Sequence, residues 1–155
     1  MSLADWFTVC SLTLIVIGLL FNLIAIRKGN SQKRAEFLNN LYIQFASDNL
    51  LDIYYKLEYD KIKSIPEESQ DEKNLDQLLG FFDNIGHLIE TRNLTWKDVE
   101  YFALEIISVY KKDVVKKYIQ KTQEYYKTEM KIKDDILPFS DFQRIAEKLV
   151  NKYQI

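Results

Sequence analysis

Between Lys111 and Lys121 the chain places Lys111, Lys112, Lys116, Lys117 and Lys121. On a helix, positions 112, 116 and 117 fall on the side opposite Val115 and Ile119. A run of this kind is ordinarily a solvated face. With Tyr110, Tyr118 and Arg92 close in the pattern it has a second reading, a surface that receives a phosphodiester. Cationic side chains meet phosphate oxygens, and tyrosine rings offer stacking area to bases. Arg92, Lys111, Lys112, Lys116 and Tyr118 are therefore the candidate ligand-binding residues.

Other chemistries find less support. His87 is the sole histidine and neighbours Gly86 and Leu88 within a mostly apolar stretch. A histidine so placed is more often a packed or rim residue than a base. No Ser, Cys or Lys has a paired base at readable spacing, and there is no glycine-rich phosphate loop or zinc pattern. Glu67, Glu68, Asp71 and Glu72 could hold a divalent cation. They lack the glycine and alternating oxygen ligands of a calcium loop, and read as a solvated loop. Asn93-Leu94-Thr95 matches a glycosylation sequon, but Thr95 also reads as a helix cap. The expectation is a protein with no catalytic residues, no metal and no cofactor.

The elements that must position these residues are helices. Four Gly and two Pro occur in 155 residues, and no segment alternates for long as a half-buried strand does. Asn30 or Ser31 can cap a helix with Ala35, Leu38, Tyr42 and Phe45 on one face. Ser47 or Asp48 offers a restart before Leu50, Ile53, Tyr54 and Leu57. Ser64–Asn74, polar and containing Pro66, reads as the substantial loop. A third helix is predicted over Leu75–Glu90, its broad apolar face formed by Leu75, Leu78, Leu79, Phe82, Ile85, Leu88 and Ile89. Thr95–Asp98 resembles a capping box opening a fourth helix with Val99, Phe102, Ala103, Ile106 and Tyr110. A further stripe is Val115, Tyr118, Ile119, Thr122 and Tyr126. Ser140 with Gln143 is expected to cap a last helix carrying Ile145, Leu149, Val150 and Tyr153.

The N-terminal part differs in kind. Trp6 to Ile26 carries no charge, and such a helix measures roughly 31 Å, about one hydrocarbon core. A cleaved signal peptide is the rival reading, but Asp5 is the only charge before the run, and Arg27-Lys28-Gly29-Asn30 is a poor cleavage site. Arg27, Lys28, Lys33 and Arg34 follow the span and no Lys or Arg precedes it, so the chain after it is expected in the cytoplasm. Ser11, Gly18, Asn22 and Ala25 share one face of the span. Small and polar residues so arranged let membrane helices approach and hydrogen-bond, which would make the anchor an oligomerisation element as well. The alternative is that Asn22 merely reaches the nearby interface.

The expected organisation is a short external N-terminus at 1–5, a transmembrane helix at 6–26, a basic juxtamembrane segment at 27–34 and a helical domain at 35–155. The fold class is all-α, a bundle on one membrane helix. Twenty-one basic residues stand against 23 acidic ones, which is not the strongly basic footprint of a duplex-binding protein. Cys10 is the single cysteine and lies in the span, so an internal disulfide is excluded. Ten Tyr, nine Phe and two Trp exceed what one core needs. Tyr54, Tyr55, Tyr59, Tyr125 and Tyr126 fall on more than one helix face, and exposed tyrosine suits an interface.

The stretch "LLGFFDNIGHLIETRNLTWKDVEYF", Leu78 to Phe102, resembles a recurring stretch of a bacterial domain-of-unknown-function family numbered 4760. Leu78, Phe81, Phe82, Ile85, Leu88, Ile89 and Phe102 carry the resemblance. It implies one N-terminal membrane helix paired with a small helical domain, and it supplies no catalytic residues. The layout is also similar to small membrane effectors of type III CRISPR immunity. That likeness implies a cytosolic helical domain that binds a cyclic oligoadenylate and controls an oligomeric membrane segment. The expectation is a non-enzymatic, homo-oligomeric effector or sensor of the cell inner membrane in antiviral defence. Its C-terminal domain would be cytoplasmic and its ligand a cyclic oligonucleotide. The alternative is a membrane-tethered scaffold for a protein partner.

Overall fold

The computed structural model describes residue 29, residues 31–133 and residues 136–154. The expected span at 6–26, with Ser11, Gly18, Asn22 and Ala25, lies outside the described residues. Among those described, no helix is long and apolar enough to cross a membrane. The chain divides into two units, Met1–Ile43 and Gln44–Ile155. In the first, residues 31–43 are helical and begin a helix, α1, that continues to residue 45. Its side chains over 31–37 are exposed and Leu41 is buried. Of the predicted stripe in this unit, Ala35 and Tyr42 are exposed and Leu38 is half-buried, while Leu41, outside the stripe, is buried.

The second unit is all-α among its described residues. Helix α2 (Asp48–Glu58) buries Leu50, Ile53 and Leu57 at the expected spacing. Helix α3 (Gln70–Glu90) is the central element and packs most extensively on α7 (Ser140–Tyr153), then on α2. It buries Leu75, Leu78, Leu79, Phe81, Phe82, Ile85 and Gly86. Leu88 and Ile89, expected in its apolar face, are only half-buried, and Phe81 is buried instead. Phe45 meets Phe81, Phe82 and Phe102 with ring centroids 5.8, 5.9 and 6.0 Å away, and Phe82 stacks on Phe142 at 5.7 Å. These rings join the helices into one core.

Helix α3 starts five residues before the predicted Leu75. Ser69 is the N-cap, and its Oγ accepts from the Glu72 N–H at 3.1 Å. Ser69 Oγ also donates to the Pro66 carbonyl at 2.6 Å, and the Glu72 carboxylate accepts from the Glu68 N–H. Half of the expected acidic loop is therefore a capped first helical turn. Asp71 and Glu72 favour the positive end of the helix dipole there.

Helix α3 ends in a Schellman motif. The Asn93 N–H reaches the Leu88 carbonyl at 2.9 Å, and the Arg92 N–H reaches Ile89 at 3.0 Å. Arg92 holds the left-handed position, φ 60°, where glycine is usual. Arg92→Gly is expected to leave the fold intact and raise stability by about 0.5 kcal/mol, because an L side chain in this region is disfavoured. Urea unfolding measures it. A loss of stability would show that the guanidinium makes a contact worth more than the backbone relief.

The capping sequence at Thr95 forms as expected: the Asp98 carboxylate accepts from both the Thr95 N–H and its hydroxyl at 2.7 Å. The predicted fourth helix is nonetheless interrupted. It comprises α4 (Trp96–Val99), a 3₁₀ turn (Glu100–Phe102) and α5 (Ala103–Lys111). Val99, Phe102, Ala103, Ile106, Ile107 and Val109 are buried along it. Helix α6 (Asp113–Thr128) buries only Val115 and Ile119 and lies at the rim. The expected cap at Ser140 differs too. Ser140 is already helical, and the N-cap is Phe139, a buried residue at φ 63°. So bulky a side chain rarely adopts this conformation. The capping oxygen comes from α3: Asp83 Oδ1 accepts from the Phe142 N–H at 2.9 Å.

Candidate functional site

The lysine run does not form one face, because the chain breaks between α5 and α6 at Lys112, φ −72° and ψ 125°. Lys111 closes α5, where a cation suits the helix C-terminus, and Asp113 opens α6. Lys112 is turned to a structural task. Its Nζ donates to the Glu58 carbonyl at 3.1 Å and pairs with Asp60 at 2.8 Å, tying the break to the end of α2. Lys111 is exposed. Arg92 lies in the turn after α3, and no contact joins it to the lysines among the described residues. The sequence pattern groups these side chains; the break separates them.

Two recesses flank α6 instead. One, about 220 Å³, is lined by Lys63, Ser64 and Ile65 of the segment after α2, by Glu72, and by Val114, Lys117, Tyr118 and Lys121 of α6. The ammonium groups of Lys63 and Lys117 make no hydrogen bond or ion pair among the described residues. Lys121 pairs with Glu67, and this contact draws the Glu67 carboxyl down and the Lys121 ammonium up from their ordinary values. Tyr118 is half-buried and donates to Asp76 at 3.3 Å. Burial, reinforced by Asp76 and Glu72, pushes its hydroxyl up to about 12, so it remains a protonated donor at neutral pH. The hydroxyl proton is committed to Asp76, so a phosphate in this cleft would be met by the lysine ammonium groups, with the Tyr118 ring beside them for a neighbouring sugar or base. Lys63, Lys117 and Lys121 join the candidate residues. Of the five residues that the sequence pattern singled out as ligand-binding, Tyr118 alone stands in this cleft.

Lys116 faces the other recess, a groove of about 670 Å³ shared by α6, Tyr110 and Gln143. Nothing in the sequence pattern singles out Lys63, which lies some fifty residues from its partners in the cleft. Neighbouring Lys116 and Lys117 look equivalent in sequence, yet they line different recesses because adjacent helix positions are about 100° apart.

The remaining polar groups serve other ends. Asp71 pairs with Lys56 at 2.8 Å and Glu67 with Lys121, while the Glu72 carboxylate accepts from the Glu68 N–H. Among the described residues no group of three or more acidic, histidine or cysteine side chains could hold a metal ion. His87 is exposed on α3, with Nδ1 3.7 Å from Asp141 Oδ2. Of the seven residues on which the sequence was compared with family 4760, Leu78, Phe81, Phe82, Ile85 and Phe102 are buried and Leu88 and Ile89 are half-buried; their pattern is that of a packed core. The chain matches no family model, no curated protein and no solved structure.

Proposed function

We propose that this chain is a non-enzymatic effector or sensor, anchored in the inner membrane by residues 6–26, whose helical domain binds a phosphodiester ligand at the α6 cleft. The observation that carries the reading is the convergence of Lys63, Lys117 and Lys121 around Tyr118. At about 220 Å³ the cleft accommodates one phosphate with its sugar rather than a whole cyclic oligonucleotide. A ring of repeating units would offer the same phosphate to several copies of the chain, which suits a symmetric homo-oligomer. The resemblance of the layout to small type III CRISPR membrane effectors supports a cyclic oligonucleotide and a role in antiviral defence, and the likeness of Leu78–Phe102 to family 4760 supports a membrane helix joined to a small helical domain. Ligand binding would then bias the packing of membrane helices along Ser11, Gly18, Asn22 and Ala25.

The test is titration of the full chain in detergent with cyclic di-, tri- and tetranucleotides at two salt concentrations. Micromolar binding to one ring size, weaker at higher salt, is expected. Lys117→Glu and Lys121→Glu should each weaken it at least tenfold. Lys111→Glu, at an exposed site outside the cleft, should change it little. Absence of binding to every ring removes this reading. The scaffold reading then leads. It has its own support in the exposed side chains of Tyr101 and Leu104, 73% and 75% accessible on neighbouring turns, a surface suited to a protein partner.

A further inference from the structure

On the side of α6 away from the lysine cleft, Gln123 and Gln143 meet across the α6–α7 groove. Gln123 Nε2 donates to the Pro138 carbonyl at 2.8 Å and to Gln143 Oε1 at 2.9 Å. A backbone carbonyl can only accept, so the orientation of the Gln123 amide is forced. Both its protons are then used, and Gln143 must turn its oxygen toward Gln123. Two groups are left over: the Gln123 Oε1 acceptor and the Gln143 Nε2 donor. Neither has a partner among the described residues. Both side chains are half-buried and line the groove, which measures about 670 Å³. The pair thus leaves one free acceptor and one free donor on two residues that line the groove. The Watson–Crick edge of each base carries both a donor and an acceptor to meet them.

The rest of the groove suits the same ligand. The Tyr110 ring is held in place by its hydroxyl, which donates to Glu147 at 3.2 Å, and by an edge contact with Phe142 at 6.1 Å. It lines the groove as an aromatic wall against which a base can lie. Lys116, also in the lining, makes no hydrogen bond or ion pair through its ammonium among the described residues, and is available to a phosphate.

We infer that the α6–α7 groove is a nucleotide site, in which Gln123 and Gln143 take the edge of a base, Tyr110 flanks the ring and Lys116 meets the phosphate. It stands apart from the lysine cleft and does not depend on it. A free mononucleotide and one unit of an oligonucleotide share this chemistry, and the probes separate them.

The test uses the full chain labelled with ¹⁵N in glutamine side chains. It is titrated with the four ribonucleoside 5′-monophosphates, with the corresponding cyclic dinucleotides, and with ribose 5-phosphate, which has the phosphate but no base. At least one mononucleotide should move the Gln143 side-chain amide protons downfield in a saturable manner, while ribose 5-phosphate leaves them in place. Gln143→Glu, which keeps the acceptor toward Gln123 but replaces the free donor by a carboxylate, should weaken that nucleotide at least tenfold. A response to dinucleotides but to no mononucleotide would assign the groove to one unit of a longer ligand. Equal shifts with ribose 5-phosphate, or none with any nucleotide, would overturn the inference. Neither result bears on ring binding at Lys117 and Lys121, which is read separately.

Discussion

Gly86→Ala is expected to destabilise the domain by about 2 kcal/mol, although alanine is the better helix former by about 0.5–1 kcal/mol. A Cβ at Gly86 would sit 2.7 Å from the Asp141 carbonyl oxygen and 2.8 Å from its carbonyl carbon and Cβ. Most of this obstruction is the backbone of α7, so no rotamer change relieves it. The helices must separate, and with them the contact of Phe82 with Phe142. Gly80 is the internal control. It lies in the same helix, and a Cβ there would have nothing within 4 Å, so Gly80→Ala should raise stability by about 0.5–1 kcal/mol. Thermal unfolding followed by circular dichroism reads both. For a domain of this size the Gly86 variant should melt roughly 5–12 °C lower. If the two substitutions shift the melting temperature the same way, α3 and α7 do not approach as described.

The second large effect is at Asp83. Asp83→Ala leaves the Phe142 N–H at the buried start of α7 without its acceptor, a loss of about 1–3 kcal/mol. Asp83→Asn keeps an acceptor and should behave differently with pH. Burial raises the Asp83 carboxyl above its ordinary value, against the opposing pull of the Phe142 and Asp141 N–H groups and the charges of His87 and Arg144. Asp141 is raised as well, by burial and then by Asp83, with His87 opposing. A carboxyl whose folded value is raised binds its proton more tightly folded than unfolded. It therefore supports the fold when protonated, and stability falls as pH rises from the ordinary Asp value, about 3.9, through the raised folded value. At neutral pH that disadvantage is fully present. Asp83→Asn should consequently match or exceed the parent at pH 7 and lose its relative advantage as pH falls toward 4. Urea midpoints at intervals across that range decide it. A variant that is weaker at pH 7 and catches up in acid would mean that the charge on Asp83 is favourable where it stands.

How far the sequence discloses this molecule depends on how local each determinant is. The apolar spacing of α2 and α3 is local, and Leu50, Ile53, Leu57, Leu75, Leu78, Leu79, Phe82 and Ile85 are buried as their periodicity requires. The early start of α3 is legible too. Ser69 followed by Glu72 is a capping signature, masked by the polarity of the turn it opens. The cap of α7 is not legible, because its oxygen belongs to Asp83, far away in the chain. Nor is the division of the lysines. Whether Lys112 continues a helix or ends one depends on the Glu58 carbonyl and Asp60, which only the folded chain brings near. The phosphodiester reading thus keeps its chemistry but changes its residues, from Arg92, Lys111, Lys112 and Lys116 with Tyr118 to Lys63, Lys117 and Lys121 with Tyr118.

The pairing of α3 with α7 also sets a timetable. Glu90 and Ser140 are separated by 50 positions, and a ribosome adds roughly 5–20 residues each second. For roughly 3–10 seconds after α3 has been made, the aromatic surface that will receive Phe142 has no cover from its own chain. In that interval Phe82 and its neighbours are what a chaperone, or another nascent copy, would meet first.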